Sequence, residues 1–392
     1  MSSSAPGRII CLSNVFDEHY QEVRQEAIPV PLGSKRRALY RCLEQAAERE
    51  LIVLSSPPKA LERRSVRWLP GVTTTFSTHR QFFCPNLDGP KVRIPCSWLS
   101  YAAHVVRQTR SGDLVLIDNY EFIYVVAAYA ARLGRRLRFF LDYEDGKHAI
   151  DRGWERMLSG AAESFGRPLL RGAMLAHPSQ ASRLPADLPR ELVPGFFHPP
   201  RPRASERPAN APVKFLYTGS LDTTRGVDLL LGALPLLPES GWELHITGSG
   251  PLQSRVVETA TDPRWGGRVQ FRGVLPNKEY EHLLATCDVA LNCQRPSDPI
   301  SDVTYPSKTF TYLSAGLRLI SSTASSVSEV LGAACWYYPE ENSDSLASVM
   351  TRFIREGLPP APEAALREVQ DRYSTEGTTR RLQTFLKKIE AA

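Results

Sequence analysis

The sequence predicts an α/β protein made of two doubly wound parallel-sheet domains that face each other across a cleft. Three observations carry this expectation. Short β-rich runs alternate with longer stretches of helical period along the chain, the pattern of parallel strands joined by crossover helices. A proline-dense stretch at 194–212, PGFFHPPRPRASERPANAP, has no hydrophobic period and interrupts the alternation once, as an extended linker does. Finally, 392 residues with 42% hydrophobic content suffice for two domains of ordinary size and exclude a disordered or fibrous chain. The expected division is a first domain at 1–200, a linker at 201–212, a second domain at 213–370 and a closing helix at 371–392 that returns to the first domain.

The first series of strands is RIICL (8–12), LIVL (51–54), LVLI (114–117), RFFL (138–141) and AMLA (173–176). The second is KFLYTG (214–219), WELHITG (242–248), VQFRG (269–273), VALNC (289–293), RLISS (318–322) and CWYY (335–338). Helical period fills the intervals at 227–237, 278–286 and 308–315, and an amphipathic stretch at 378–389 follows prolines near 358–362. Sheets of this kind bind ligands outside the carboxyl ends of their strands, so the site is expected in the cleft.

Charge and cysteine usage narrow the function classes. Residues 1–200 carry 27 Lys and Arg against 20 Asp and Glu, a surplus of +7, whereas the remainder carries −1. The densest basic pieces are Lys35-Arg36-Arg37, Arg63-Arg64 with Arg67, and Arg132, Arg135, Arg136 and Arg138. Such clusters attract polyanions, among them a phosphorylated substrate, anionic lipid or nucleic acid. No run approaches the ~20 apolar residues of a membrane span, and the polar start with a short apolar run lacks a secretory core, so a cytoplasmic protein is expected, with peripheral contact at the inner face of a membrane through the basic half. Seven scattered cysteines without a CxxC pair support neither a disulfide framework nor a zinc site.

Three segments of the second half carry chemistry. In Tyr217-Thr-Gly-Ser-Leu-Asp-Thr-Thr-Arg-Gly a strand ends at Gly219 and a helix opens after Arg225 and Gly226. Glycine lets backbone approach a phosphate, the helix start adds N–H donors, and Arg225 supplies countercharge. His245-Ile-Thr-Gly-Ser-Gly-Pro has half of a dinucleotide fingerprint, with Gln253 where the third glycine would stand. It reads as a tight turn along which a ligand can lie. In Thr304-Tyr-Pro-Ser-Lys-Thr-Phe-Thr-Tyr-Leu-Ser-Ala-Gly, Pro306 sits near a helix start, Ser307 and Lys308 present a hydroxyl and a cation there, and Gly316 ends the helix. This is an anion site by construction. In the first half, the aromatics Trp68, Phe76, Phe82, Phe83 and Trp98 lie between the second and third strands, as core or as the lining of an apolar groove.

These residues together resemble the C-terminal domain of family 4 glycosyltransferases of the GT-B fold, which is built from two Rossmann-like domains. The carriers are Gly219, Leu221, Arg225 and Gly226, then Gly248-Ser-Gly-Pro, Phe271-x-Gly-x-Leu275, the strand Cys287-Asp-Val-Ala-Leu, and Pro306-Ser-Lys with Tyr312-Leu-x-Ala-Gly. The likeness is specific over about 214–322. In the first half it is looser: Pro31-Leu-Gly33-Ser34-Lys resembles a variable first loop, and Asp118-Asn119-Tyr and Leu141-Asp-Tyr-Glu-Asp-Gly resemble strand ends facing the cleft.

The resemblance implies transfer of a sugar from a nucleotide-diphosphate sugar to an acceptor hydroxyl with retention at the anomeric carbon. The acceptor would be a glycan, a lipid-linked glycan or another hydroxyl compound, as in polysaccharide biosynthesis. It implies that Arg225 and Lys308 neutralise the leaving diphosphate, helped by Ser220 and Ser307. Gly219, Gly248, Gly250 and Val274 would lie along the donor by backbone contact, and Glu144 and Asp145 would stand near the donor sugar. Gly33, Ser34 and Asn119 fall on the acceptor side. No cofactor and no metal is expected, because no D-x-D triplet occurs. Two departures stand out. Thr311 occupies the place of the second glutamate of a pair common in the family, with Val303 at the first and Asp302 beside it as a substitute, and Ser220 stands where an arginine is common. Rival readings are a catalytically silent binding protein of the same fold, a nucleotide-sugar epimerase, and a transferase acting on nucleic acid or a secondary metabolite.

Overall fold

The computed structural model describes residues 7–14, 33–56, 67–75, 79–88, 93–144, 146, 151–198 and 211–391. The chain divides into two units, Met1–Val193 with Thr375–Ala392, and Pro194–Ser374. The first boundary falls before the proline-rich stretch rather than at 200, because 194–198 is tied into the second unit. There the Phe197 N–H donates to the Tyr373 carbonyl at 2.9 Å, and the His198 N–H to Ser314 Oγ at 2.9 Å. The expected linker at 201–212 lies largely outside the described residues. The chain returns to the first unit at Thr375 rather than 371.

The first unit is an eight-stranded sheet in the order β10-β9-β8-β7-β1-β2-β5-β4. Its strands are β1 (Ile9–Leu12), β2 (Leu51–Ser55), β4 (Val72–Thr75), β5 (Arg80–Phe83), β7 (Leu114–Asp118), β8 (Arg138–Tyr143), β9 (Leu170–Leu175) and β10 (Arg190–Leu192). IICL, LIVLS and LVLID are buried at every position, as continuous apolar runs covered on both faces must be. The stretch between the second and third expected strands holds more structure than was expected: β5 joins β2 in parallel and β4 joins β5 antiparallel, while β3 (Arg67–Leu69) and β6 (Asn86–Asp88) form a separate antiparallel pair. These strands are short and half-exposed, so their hydrophobic period is faint. Among the aromatics there, Phe83 is core, Trp98 meets Phe122 at 5.1 Å between ring centroids, Trp68 is exposed, and Phe76 lies outside the described residues.

The closing helix Thr375–Ala391 buries Leu382, Phe385, Leu386 and Ile389 on this sheet. Phe385 meets Phe140 at 6.2 Å between ring centroids, and Gly172 of β9 leaves the room that Ile389 fills.

The second unit has the order β13-β12-β11-β14-β15-β16, all parallel. These are β11 (Val213–Ser220), β12 (Trp242–Ser249), β13 (Val269–Phe271), β14 (Val289–Asn292), β15 (Arg318–Ser321) and β16 (Trp336–Tyr337). In chain order this is 3-2-1-4-5-6, so the direction of winding reverses between β11 and β14, and that is where such a sheet opens a crevice. The flanking helix Ser343–Glu356 starts at Asn342, whose side-chain oxygen accepts from the Ser345 N–H at 2.8 Å. Replacing Asn342 by alanine is expected to cost about 1 kcal/mol in urea unfolding, the usual value of an N-cap.

Candidate functional site

At the reversal between β11 and β14 lies a cavity of about 240 Å³. It is walled by Tyr217, Thr218, Gly219 and Ser220 at the carboxyl end of β11, by Leu291, Asn292 and Gln294 at that of β14, by Arg225, and by residues 305–309 with Tyr312. Two of these side chains are cations, and no carboxylate is among them.

Local chemistry places each cation. Arg225 ends the turn after β11, where the Asp222 carboxylate accepts its backbone N–H at 2.7 Å. Gly226 follows with φ 69, and a Cβ there would lie 1.9 Å from the Cys293 carbonyl oxygen, so only glycine lets the turn come this close to the end of β14. The guanidinium donates to Gln294 Oε1, and Gln294 Nε2 donates to the buried Ser301 hydroxyl at 2.9 Å. Arg225 is thus aimed by a neutral amide, and it makes no ion pair among the described residues. Lys308 opens the helix Lys308–Ser314, which closes on a Schellman arrangement with the Gly316 N–H on the Leu313 carbonyl (3.0 Å) and the Leu317 N–H on the Tyr312 carbonyl (3.1 Å). A Cβ on Gly219 would sit 3.6 Å from Lys308 Nζ, so the amine lies over the Gly219 backbone.

Much of the Lys308 side chain meets solvent, yet burial of its amine end, and then the charge of Arg225, lower its pKa from the ordinary lysine value. Two like charges share one site whose lining holds no carboxylate, and an anion bound there would relieve both. The helix has only seven residues, so the cations rather than its dipole carry the attraction. Ser307 adds a hydroxyl without a partner among the described residues.

Of the residues picked from the sequence, Gly219, Ser220, Arg225, Ser307 and Lys308 come together on this cavity, and Gly248, Gly250, Val274, Asp302 and Thr311 do not line it. Gly248 and Gly250 have a packing reason of their own: a Cβ on Gly248 would stand 1.8 Å from the Gly219 carbonyl oxygen, and one on Gly250 2.7 Å from the Leu221 backbone. Gly248 pairs with Gly219 in the register of β11 and β12. Val274, Asp302 and Thr311 are exposed. Sequence reading passed over Gln294 and the hydroxyls of Thr218 and Tyr312, which lie 2.7 Å apart. Gln294 two residues past a buried strand is a signal that could have been used; Tyr312 at a helical core position was not distinguishable from packing.

The first unit has its own reversal between β7 and β1, and Glu144 and Asn119 lie near it. Asn119 adopts φ 51 in the turn after β7, and its side-chain oxygen accepts the Glu144 N–H at 2.8 Å. The Glu144 carboxylate pairs with Lys35 at 2.8 Å, and Arg36 is bound to Asp118 and Ser13. Burial works against the Arg36 charge, but Asp118, then Tyr40, Glu144 and Asp142 raise its pKa overall. Burial, followed by Glu144 and Asp118, pushes the Asp142 carboxyl well above the usual range. Two expectations change here. Lys35 and Arg36 are consumed in internal pairs and offer no open basic patch, and Gly33 and Ser34 begin the helix Gly33–Ala47 instead of lying in a loop. That helix runs back to Gly33 because Leu39, Tyr40, Leu43 and Ala46 bury one face at helical spacing and no proline interrupts it. Asp145, Arg63 and Arg64 lie outside the described residues.

Residues 201–374 match the family model described as glycosyl transferases group 1. Glycogen synthase of Mycobacterium tuberculosis is 34% identical over 92 residues, 23% of this chain, so the chain matches about a fifth of that relative's length, 22%. Three solved structures resemble the whole chain. Sucrose-phosphate synthase from Thermosynechococcus elongatus has a TM-score of 0.66 at 14% identity, covering 98% of this chain and 99% of its own. Anabaena HepE in complex with UDP has 0.65 at 14%, covering 97% and 99%. The catalytic domain of starch synthase IV from Arabidopsis thaliana, bound to ADP and acarbose, has 0.67 at 9%, covering 98% and 100%. The chain therefore has the GT-B fold, two parallel-sheet α/β units, and within it residues 201–374 are similar to the group 1 glycosyl transferases.

Proposed function

We propose that this protein transfers a glycosyl group, with retention, from a nucleoside-diphosphate sugar to an acceptor hydroxyl, and that the cavity between β11 and β14 holds the diphosphate. The observation that carries this reading is a pocket at the winding reversal lined by Arg225 and Lys308 and by no carboxylate. In the reaction the glycosidic bond to the diphosphate breaks, and negative charge grows on the leaving oxygen. Arg225, held in place by Gln294, and Lys308 stabilise that charge as it forms, which lowers the barrier because their attraction is stronger in the transition state than in the ground state. The departing phosphate takes the acceptor proton, so the chemistry asks the protein for positioning more than for a strong base. The N-terminal unit, with Asn119 and Glu144 near its own reversal, is the proposed acceptor side. UDP bound to HepE and ADP bound to the catalytic domain of starch synthase IV support a nucleotide donor.

The test is the thermal midpoint with excess UDP, GDP, ADP or TDP. A nucleotide at ~100 times its dissociation constant stabilises by about 2.7 kcal/mol, so one of the four is expected to raise the midpoint clearly. Its sugar conjugates should then release that nucleotide on turnover. No shift with any of the four would remove the donor reading.

A further inference from the structure

The cavity opens because β11 and β14 stop pairing early. Their register ends at Leu216 with Ala290, and beyond it β11 stays paired with β12 alone. No sheet ladder therefore fixes the turn that carries Arg225 against the segment that carries Gln294, although the guanidinium of the one bonds the amide of the other. Arg295 makes the connection instead. Its backbone N–H donates to the Thr224 carbonyl and its Nε to the Thr223 carbonyl, both at 2.9 Å. One end of its guanidinium reaches Asp228 at 2.6 Å and the other reaches Glu341 at 2.7 Å.

These bonds bracket Arg225. Thr223 and Thr224 precede it, Asp228 follows it by three residues, and the Thr224 hydroxyl adds a bond to Asp298 at 2.7 Å. Glu341 is a fixed anchor: it accepts from the Ser297 N–H at 2.8 Å and from the Ser297 hydroxyl at 2.7 Å. Two residues on, the Ser343 hydroxyl donates to the Leu229 carbonyl at 2.9 Å. On its other side the Arg295 carbonyl accepts from the Ser301 hydroxyl at 2.7 Å, the same hydroxyl that receives Gln294 Nε2. Arg225 and the amide that aims it are thus tied to one residue. Charge works in the same direction. Without Arg295, Asp228 and Glu341 would lose their cation, and Asp228, three residues from Arg225, would compete for its guanidinium. Arg295 itself does not line the cavity, and its three side-chain nitrogens are all engaged, so it can act on an anion there only through Arg225.

We propose that Arg295 is a positioning residue for Arg225: it holds the turn at 222–228 against the segment at 294–298, and it occupies the two carboxylates that would otherwise draw Arg225 away from the diphosphate. The inference rests on the reading of the cavity as a diphosphate site and adds to it a residue that touches no ligand. The task suits arginine. A planar guanidinium presents donors in fixed directions to two carboxylates and a carbonyl at once, whereas a lysine ammonium is a point charge without that fork. Displacing a charged group by about 1 Å through a change outside the site can cost as much as ~100-fold in rate, so a residue of this kind matters without contact.

The experiment is a double-mutant cycle on the full chain. Dissociation constants of inorganic pyrophosphate and of UDP, GDP, ADP and TDP are measured by calorimetry for the wild type, Arg225→Ala, Arg295→Met and the double variant. Arg225→Ala should weaken binding about tenfold to a hundredfold, the usual weight of a hydrogen bond to a charged group. Arg295→Met should lose most of that factor when Arg225 is present and less than about twofold when Arg225 is already gone. A merely structural role would lower affinity by the same factor in both backgrounds, and that additive result overturns the proposal. Wild-type affinity in Arg295→Met overturns it as well. If the methionine variant does not fold, Arg295→Lys completes the cycle under the same criterion. Should pyrophosphate bind and none of the nucleotides, the donor reading falls, while the cycle run on pyrophosphate still judges Arg295. Should neither bind, the cavity is not an anion site and the proposal falls together with that reading.

Discussion

Lys308→Ala is expected to abolish the nucleotide-dependent rise in thermal midpoint and to lower kcat/KM of transfer roughly a hundred- to a thousandfold, the usual effect of removing one group that stabilises developing charge. The free protein should lose nothing. Lys308 makes no ion pair among the described residues and is repelled by Arg225, so the unliganded variant should be at least as stable as the wild type. That combination separates a binding cation from a structural one. The pH dependence has a definite sign. The amine must be protonated to attract the diphosphate, and its pKa in the free protein lies below the ordinary lysine value because of burial and Arg225. An anion raises it. Affinity for the nucleotide therefore falls as pH rises through the lowered value, before the ordinary lysine range of about 10.4 is reached. Lys308→Arg should remove this limb, since a guanidinium stays charged throughout. A nucleotide shift in Lys308→Ala equal to that of the wild type would show that the diphosphate binds elsewhere.

Gly248→Ala is expected to destabilise the second unit by about 3 kcal/mol or more in urea unfolding. Two costs add: a methyl group forced onto backbone, and a positive φ of 137 that side chains rarely adopt. The clash, 1.8 Å from the Gly219 carbonyl oxygen, is with backbone and not with a side chain that could turn away. Relief requires parting β11 from β12 where they are in register, and Gly219 carries the floor of the anion site. Loss of nucleotide binding should accompany the loss of stability. If instead the variant keeps its unfolding midpoint and loses only the nucleotide, the glycine serves ligand approach, as its motif first suggests, and the packing explanation fails.

The contrast between Gly248 and Lys308 shows what a linear reading can resolve. Glycine after a buried strand is a local signal, visible in Ile246-Thr-Gly-Ser-Gly, but what a Cβ would strike depends on the neighbouring strand. Lysine at a helix start after Pro306-Ser307 is visible in the same way, and its chemistry, a cation at the start of a helix, needs no neighbour to be stated. Gln294 carries no such local mark. It matters because β14 lies beside β11, which brings it to Arg225, and pairing across 69 residues has no signature in a single sequence.

The basic clusters make the same point for charge. Lys35, Arg36 and Arg37 read as one patch, yet folding places Glu144 and Asp118 against the first two, and their charges are spent inside the protein. Arg132 and Arg136 find no such partner among the described residues. Composition counts charges; only the fold pairs them.

Hydrophobic period, proline and glycine placement by themselves determined that the chain forms two α/β units of parallel sheet, and placed two cations and a glycine turn in the second, because those signals act over a few residues of backbone. The strand order, the reversal that opens the cavity and the compensation of Lys35 and Arg36 were decided by tertiary structure alone. Each depends on which distant segments lie side by side, and both the free energy of burying a side chain and the energy of a charge depend on those neighbours rather than on position along the chain.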